Sequence, residues 1–191
     1  MSSPAEVPGL TYLPDYLDQA AHDRLIETVD AQPWLGDLSR RVQHNGYRYD
    51  YKARKVDPSL YVGPLPDWAA ELSRRLLREG WFEEVPDQLI VNEYQPGQGI
   101  AKHVDCVPCF GKTVVSISLG STCVLEMGRA KQKVPLLLEP RSAVVMQGDA
   151  RYRWTHAIAG RKQDRWKGQI LPRGRRISLT FRKVLLADAN D

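Results

Sequence analysis

Two regimes of hydrophobic spacing meet near Pro86. Upstream, apolar residues recur at helical intervals. Asp15 or Asp18 can cap a segment that then places Leu25, Ile26 and Val29 on one face, which predicts an amphipathic helix over about residues 16 to 31 with His22 toward solvent. In "PDWAAELSRRLLREG", Asp67 as cap, Trp68, Leu72 and Leu76 as one stripe and Gly80 as the stop predict a second helix. The intervening "RRVQHNGYRYDY" reads as a polar hairpin, with Asn45-Gly46 as the turn and Tyr47, Tyr49 and Tyr51 alternating beyond it.

Downstream the period becomes two. "DQLIVNEY", "GIAKHVD", "TVVSISLG", "CVLEM", "VPLLLE", "SAVVMQ", "RWTHAI" and "RISLTFRKV" are short strand candidates parted by turn-rich stretches such as "QPGQG" and "QGDA". Strands of this kind after two helices predict an α+β, mainly β fold: a jelly roll of two antiparallel sheets with the N-terminal helices packed on one of them. No linker or charge block interrupts the chain, so residues 1–191 are expected to form one domain, with helices and a lid over 1–85 and the jelly-roll core over 86–184.

Charge changes the picture because it is unevenly spread. The net charge is +4, yet Arg129 to Lys183 hold fifteen Lys and Arg against three acids, Glu139, Asp149 and Asp164. A stretch so basic suits a polyanion such as nucleic acid, although a solvated basic surface would look the same. The start, "MSSPAEVPGL", lacks the basic and apolar runs of a leader, and no segment has the length of a membrane span, so a cytoplasmic location is expected. Three cysteines are too few for a disulfide framework, and the CxxC of Cys106 and Cys109 lacks the second pair a structural zinc needs.

Strand alternation sends His103 and Asp105 to one face, and His156 lies in another predicted strand that a jelly roll can bring across to them. Two imidazoles and one carboxylate leave three positions open on an octahedral ion, an arrangement suited to non-haem Fe(II) and O2. A lone strand histidine is more commonly a satisfied core or surface residue, so this trio needs support. The last strand offers it: Arg176, Ser178, Thr180 and Arg182 form one row and Ile177, Leu179 and Phe181 the other. The polar row is either a wet face or a cationic lane for a dicarboxylate. Asn92 and Tyr94 likewise share a face.

In that order, the NxY of Asn92 and Tyr94, the HxD of His103 and Asp105, the later His156 and the RxxxxxR of Arg176 and Arg182 resemble the AlkB-type Fe(II)- and 2-oxoglutarate-dependent dioxygenases. "SISLGS", "LEPRSAVVMQGDARYRWTHAI" and "RISLTFRK" look most like the oxygenase domain of the eukaryotic AlkB homologue acting on tRNA wobble uridine, and the similarity extends over about residues 40 to 184. The resemblance implies that His103, Asp105 and His156 hold Fe(II) and that Arg176 pairs with the distal carboxylate of 2-oxoglutarate. Asn92, Tyr94, Ser178 and Arg182 would line the same pocket. It further implies that O2 and 2-oxoglutarate are consumed to oxidise an alkylated or modified base, by hydroxylation or oxidative dealkylation. In repair members an acid shortly after the HxD helps read the base; here no acid follows Asp105 before Glu126.

RNA or single-stranded DNA is the expected partner and substrate, with no obligate protein partner evident. Arg40, Arg41, Tyr47 and Tyr49 are expected to form a substrate lid, aromatics stacking on an extruded base and arginines on phosphates, the alternative being an ordinary amphipathic hairpin. Arg151, Arg153, Arg161, Lys162, Arg165 and Lys167 would extend the polyanion path. Trp154 and Trp166 either stack bases or fill the core. Two other functions fit the residues: a hydroxylase of a small metabolite or protein side chain, and a non-catalytic RNA-binding jelly roll.

Overall fold

The computed structural model describes residues 6–36 and 39–186; the first five residues, part of the start read above for a leader, lie outside them. In chain order the elements are β1 (Leu10–Leu13), α1 (Gln19–Asp30), β2 (Val42–Asn45), α2 (Asp67–Arg78), β3 (Gln88–Tyr94), β4 (Ile100–His103), β5 (Phe110–Gly120) and β6 (Cys123–Arg129). They continue with β7 (Gln132–Leu138), β8 (Ala143–Met146), α3 (Gly148–Tyr152), β9 (Thr155–Ile158), β10 (Gln163–Trp166), β11 (Gln169–Pro172) and β12 (Arg176–Val184). The fold is mainly β, as expected. A six-stranded sheet in the order β1-β8-β5-β12-β3-β2 faces a four-stranded sheet in the order β4-β9-β6-β7, and β10 and β11 form a separate ribbon.

Alternation along β12 organises the layers. Ile177, Leu179 and Phe181 point outward and join Leu25 and Val29 of α1 and Ala69 and Leu76 of α2 in one apolar cluster. The opposite row points between the sheets, where Leu125, Met127, Leu136, Val144, Met146 and Trp154 form the second cluster. Trp154 is therefore a core residue. Both rows of β12 are buried through Phe181, so its polar row is no wet face: it lines the interior of the sandwich. Burying Arg176, Ser178 and Thr180 on a central strand, with Arg182 mostly covered beyond them, is unfavourable unless something answers them.

Asp18 caps α1 by accepting from the Ala21 amide at 2.7 Å, whereas Pro66 precedes α2 and Asp67 is its first residue, where its charge favours the helix N-terminus. Gly80, at φ +80°, ends α2. His22 does not face solvent. It is 7% exposed because α1 lies against the end of β5, where its Nε2 accepts from the Gly120 amide at 3.0 Å.

Asn45-Gly46 does not close a hairpin either. β2 pairs antiparallel with β3, and the chain leaves at Gly46 with φ +79°, where a Cβ would sit 1.8 Å from the Asp87 carbonyl oxygen. The four-residue β1 and the polar β10–β11 ribbon were not expected from the sequence. "QGDARY" forms the single turn of α3, so β9 begins at Thr155 rather than Arg153.

The ribbon is anchored by Asp164, 2% exposed, which accepts from Arg173 Nε and Nη2 at 2.6 and 2.8 Å, Arg161 Nε at 2.7 Å and the Val124 amide at 3.0 Å. Burial pushes this carboxyl up, but the donors outweigh it and hold its pKa below the usual range. Its stabilisation is therefore present above the unfolded pKa near 4 and lost as pH falls through the lower folded value. Asp164→Asn strands the buried Arg173 charge, and we expect a loss of about 3 kcal/mol, roughly 6 to 12 °C in Tm at pH 7. The deficit should shrink at pH 3; equal melting of variant and parent at pH 7 would refute the anchor.

Candidate metal and cosubstrate site

β4 and β9 are paired so that His103 lies directly opposite His156, with ring centroids 4.2 Å apart. β4 ends at His103, so Asp105 sits just beyond the strand rather than in it, yet its Oδ1 lies 3.6 Å from His103 Nε2. One ligand atom from each of His103, Asp105 and His156 falls within 4.8 Å of the other two.

The three groups are placed as metal ligands would be. His103 Nδ1 lies 2.8 Å from the Ala101 carbonyl oxygen, to which only an N–H can be donated, so Nε2 is the nitrogen turned toward the other two. Burial pulls the His156 pKa down to about 4, against the opposing pull of Asp105, so its ring is neutral. Burial alone would raise the Asp105 pKa, but the Arg182 guanidinium facing it holds the carboxyl ionised, well below its usual range.

Arg182 therefore does something other than flank a dicarboxylate symmetrically with Arg176. Its Nε and Nη2 fork onto Asp105 Oδ2 and Oδ1 at 3.2 and 3.3 Å, and its Nη1 reaches Gln88 Oε1 at 3.2 Å. Arg176, six residues away, is 3% exposed and donates from Nη2 to Ser118 Oγ at 2.9 Å, while its Nε and Nη1 are buried without a hydrogen-bond partner. The Tyr94 ring lies under it, 5.5 Å from the guanidinium carbon. A buried, permanently charged fork with two idle donors is costly unless an anion completes it.

The register places Tyr94 opposite Arg176 and Asn92 opposite Ser178, and all four line one slot that also reaches His103, Asp105, His156 and Arg182. Thr180 and Ser116 join them there, two residues that motif reading did not select. The donor set fits 2-oxoglutarate: a carboxylate for Arg176 at one end, and two histidines and a carboxylate for iron at the other.

Outside the slot opens a cleft of about 550 Å³. Arg40 and Tyr49 line it, with Arg40 Nε donating to Asn92 Oδ1 at 2.8 Å. Arg41 and Tyr47 are not part of its wall. Arg41 turns to the buried Glu93, bonding it at 2.6 and 2.7 Å, and Tyr47 packs against Tyr61. Tyr51, Arg54 and Lys102 are cleft residues not selected from the sequence, although Tyr51 continues the visible tyrosine alternation.

Two arginines assigned to the polyanion path are engaged elsewhere. Arg151 is 2% exposed and holds the loop after Asp105, and Arg161 pairs with Asp164.

Residues 9–182 match the family model described as "2OG-Fe(II) oxygenase superfamily". Among curated proteins, the chain is 34% identical to the "Alkylated DNA repair protein ALKBH8 homolog" of Arabidopsis thaliana, over 96% of this chain and 60% of the relative. It is 35% identical to the "tRNA (carboxymethyluridine(34)-5-O)-methyltransferase ALKBH8" of Mus musculus, over 93% of this chain and 30% of the relative. The chain thus spans between about a third and three-fifths of the length of these two relatives. Among solved structures, that of OsALKBH1 superposes with a TM-score of 0.68 at 20% identity, covering 92% of this chain and 97% of the other. With the sandwich, the slot and the match to the family model in agreement, the chain belongs to the 2OG-Fe(II) oxygenase superfamily.

Proposed function

We propose that the protein is an AlkB-like dioxygenase that oxidises an alkylated or modified base in RNA or single-stranded DNA, and that His103, Asp105 and His156 hold its iron. The observation that carries the reading is the buried Arg176 with two unanswered donors, in the same slot as the three candidate ligands. Iron(II) with 2-oxoglutarate and O2 supplies the oxidation of a substrate C–H bond, with release of succinate and CO2. The protein's own residues orient and exclude. Arg176, Tyr94, Asn92 and Ser178 fix the cosubstrate, Arg182 keeps Asp105 ionised and aimed, and the apolar walls of Leu125, Val144 and Met146 keep water from the slot.

The cleft supports a nucleotide substrate. Tyr49 and Tyr51 stand at its wall with rings 5.0 Å apart, and Arg40, Arg54 and Lys102 surround them. Aromatic faces with cations suit an extruded base and its phosphates. The names of the two ALKBH8 relatives, one for alkylated DNA repair and one for a tRNA uridine, point to nucleic acid. A cytoplasmic setting accords with this, and among the described residues no helix is long and apolar enough to cross a membrane.

Anaerobic reconstitution with Fe(II), followed by O2 and 2-oxoglutarate, should release succinate; none would remove the proposal. Incubation with cellular RNA and with alkylated DNA, then nucleoside mass analysis, identifies the base, and oxidation only of free metabolites would overturn the nucleic-acid reading.

Lys102 and Arg165 share a second groove with the outer face of β9, beside the cleft. Reversing both to glutamate should weaken single-stranded RNA binding at least about tenfold at low salt and make the log-log salt slope shallower by about 1.4. An unchanged slope would exclude them from phosphate contact.

A further inference from the structure

Between Asp105 and β5, Cys106 and Cys109 are joined by a disulfide. The metal and cosubstrate site has no use for it, and the loop is held without it. Arg151 donates from Nη1 to the Asp105 carbonyl oxygen at 2.9 Å and from Nη2 to those of Cys106 and Phe110, both at 3.1 Å. Its Nε reaches the Gly111 carbonyl at 3.2 Å. A guanidinium reading four carbonyls fixes the loop in either redox state.

A second observation comes from across the cleft. Both sulfurs face one acceptor, the carbonyl oxygen of Arg54, at 3.3 Å from Cys106 and 3.5 Å from Cys109. Arg54 lies in the segment from Asp50 to Lys55, whose ends bridge to each other and which places Tyr51 and Arg54 on the cleft wall. A disulfide sulfur has no hydrogen to donate, so in this state neither sulfur gives the Arg54 carbonyl a hydrogen bond. Reduction puts a hydrogen on each sulfur, and one S–H can then donate to that oxygen.

We propose that Cys106 and Cys109 form a thiol–disulfide exchange site whose redox state sets how firmly the 50–55 segment is tied to the loop that follows Asp105. The reagent class is a small thiol or a protein dithiol, reaching Cys106 through the cleft it lines. A reagent thiolate attacks one sulfur, forms a mixed disulfide and expels the other cysteine as a thiolate, which takes up a proton. A second reagent thiol displaces the first cysteine. Two electrons and two protons pass to the protein, and the reagent leaves as its disulfide. Reduced protein has the tied segment, oxidised protein the freer one. The redox site stands on these contacts alone; only its effect on substrate handling rests on the cleft being the nucleotide site.

Hydrogen exchange of the peptide spanning residues 48–57, in reduced and in oxidised glutathione, tests this without a substrate. Intact mass should show the pair opening and closing with the glutathione ratio, and exchange should be about threefold slower in the reduced protein. A Cys106→Ala/Cys109→Ala pair, lacking a donor, should exchange fast in both buffers. A Cys106→Ser/Cys109→Ser pair, whose hydroxyls donate, should exchange slowly in both. The proposal is overturned by cysteines that stay reduced in oxidised glutathione, by equal exchange in the two forms, or by a redox response that survives in the alanine pair, where only Cys123 remains. Succinate release under reducing conditions, measured in parallel, reports on the iron reading separately.

Discussion

Arg176→Leu raises the 2-oxoglutarate requirement by about a thousandfold while leaving iron bound, and it makes the cosubstrate-free protein more stable. Both effects come from one fact: Nε and Nη1 of this arginine are buried with no partner. When a carboxylate completes the fork, losing it removes a buried, charge-assisted pair, about 4 kcal/mol. When no carboxylate is there, the charge is only a burden, and an apolar side chain of similar reach relieves it by about 1 to 3 kcal/mol. Calorimetric titration of 2-oxoglutarate into the metal-loaded variant, with melting of the cosubstrate-free form, checks both. Unchanged affinity would move the carboxylate site elsewhere, and a lower Tm would mean that Arg176 is already satisfied.

His103→Ala produces the opposite separation. It lowers Fe(II) affinity by more than about 100-fold and abolishes turnover, with the fold intact, because its ring is partly exposed at the mouth of the site. Only one imidazole and one carboxylate remain, and the carboxylate still has Arg182 as its partner. Iron content after reconstitution and desalting, beside a far-ultraviolet spectrum, decides it; full iron retention would contradict the ligand assignment. The two variants together distinguish a metal defect from a cosubstrate defect, since each leaves the other component's binding residues in place.

The jelly roll was legible because its signals are local, and the candidate triad because its residues stand in the order of a known family's motifs. Period-two runs define β3 through β9 and β12, and strand alternation put Asn92 with Tyr94 and Arg176 with Ser178 on shared faces, as the register confirms. What stayed hidden depends on contacts between distant segments. Arg176 and Arg182 read alike in "RRISLTFRKV", yet the second is taken by Asp105, 77 residues earlier, and the first is not. Arg40 and Arg41 are neighbours, but β2 directs one to Asn92 and the other to Glu93 on opposite sides of β3. His22 sits on a helix face whose depth is set by β5, almost 100 residues away. The β10–β11 ribbon turns at Lys167-Gly168, both left-handed, a dipeptide that announces a turn less plainly than Asn-Gly.

The position of β12 in the sheet has a consequence for biogenesis. It fills the gap between β5 and β3, and a ribosome delivers it after every other strand of the sandwich. Until then the nascent chain has two part-sheets, each with an open edge, and neither the outer helical layer nor the interior row is complete. Closure is thus a late, long-range event. A polypeptide ending before Arg176 would leave β5 and β3 as two unpaired edges, each able to take a strand from another chain.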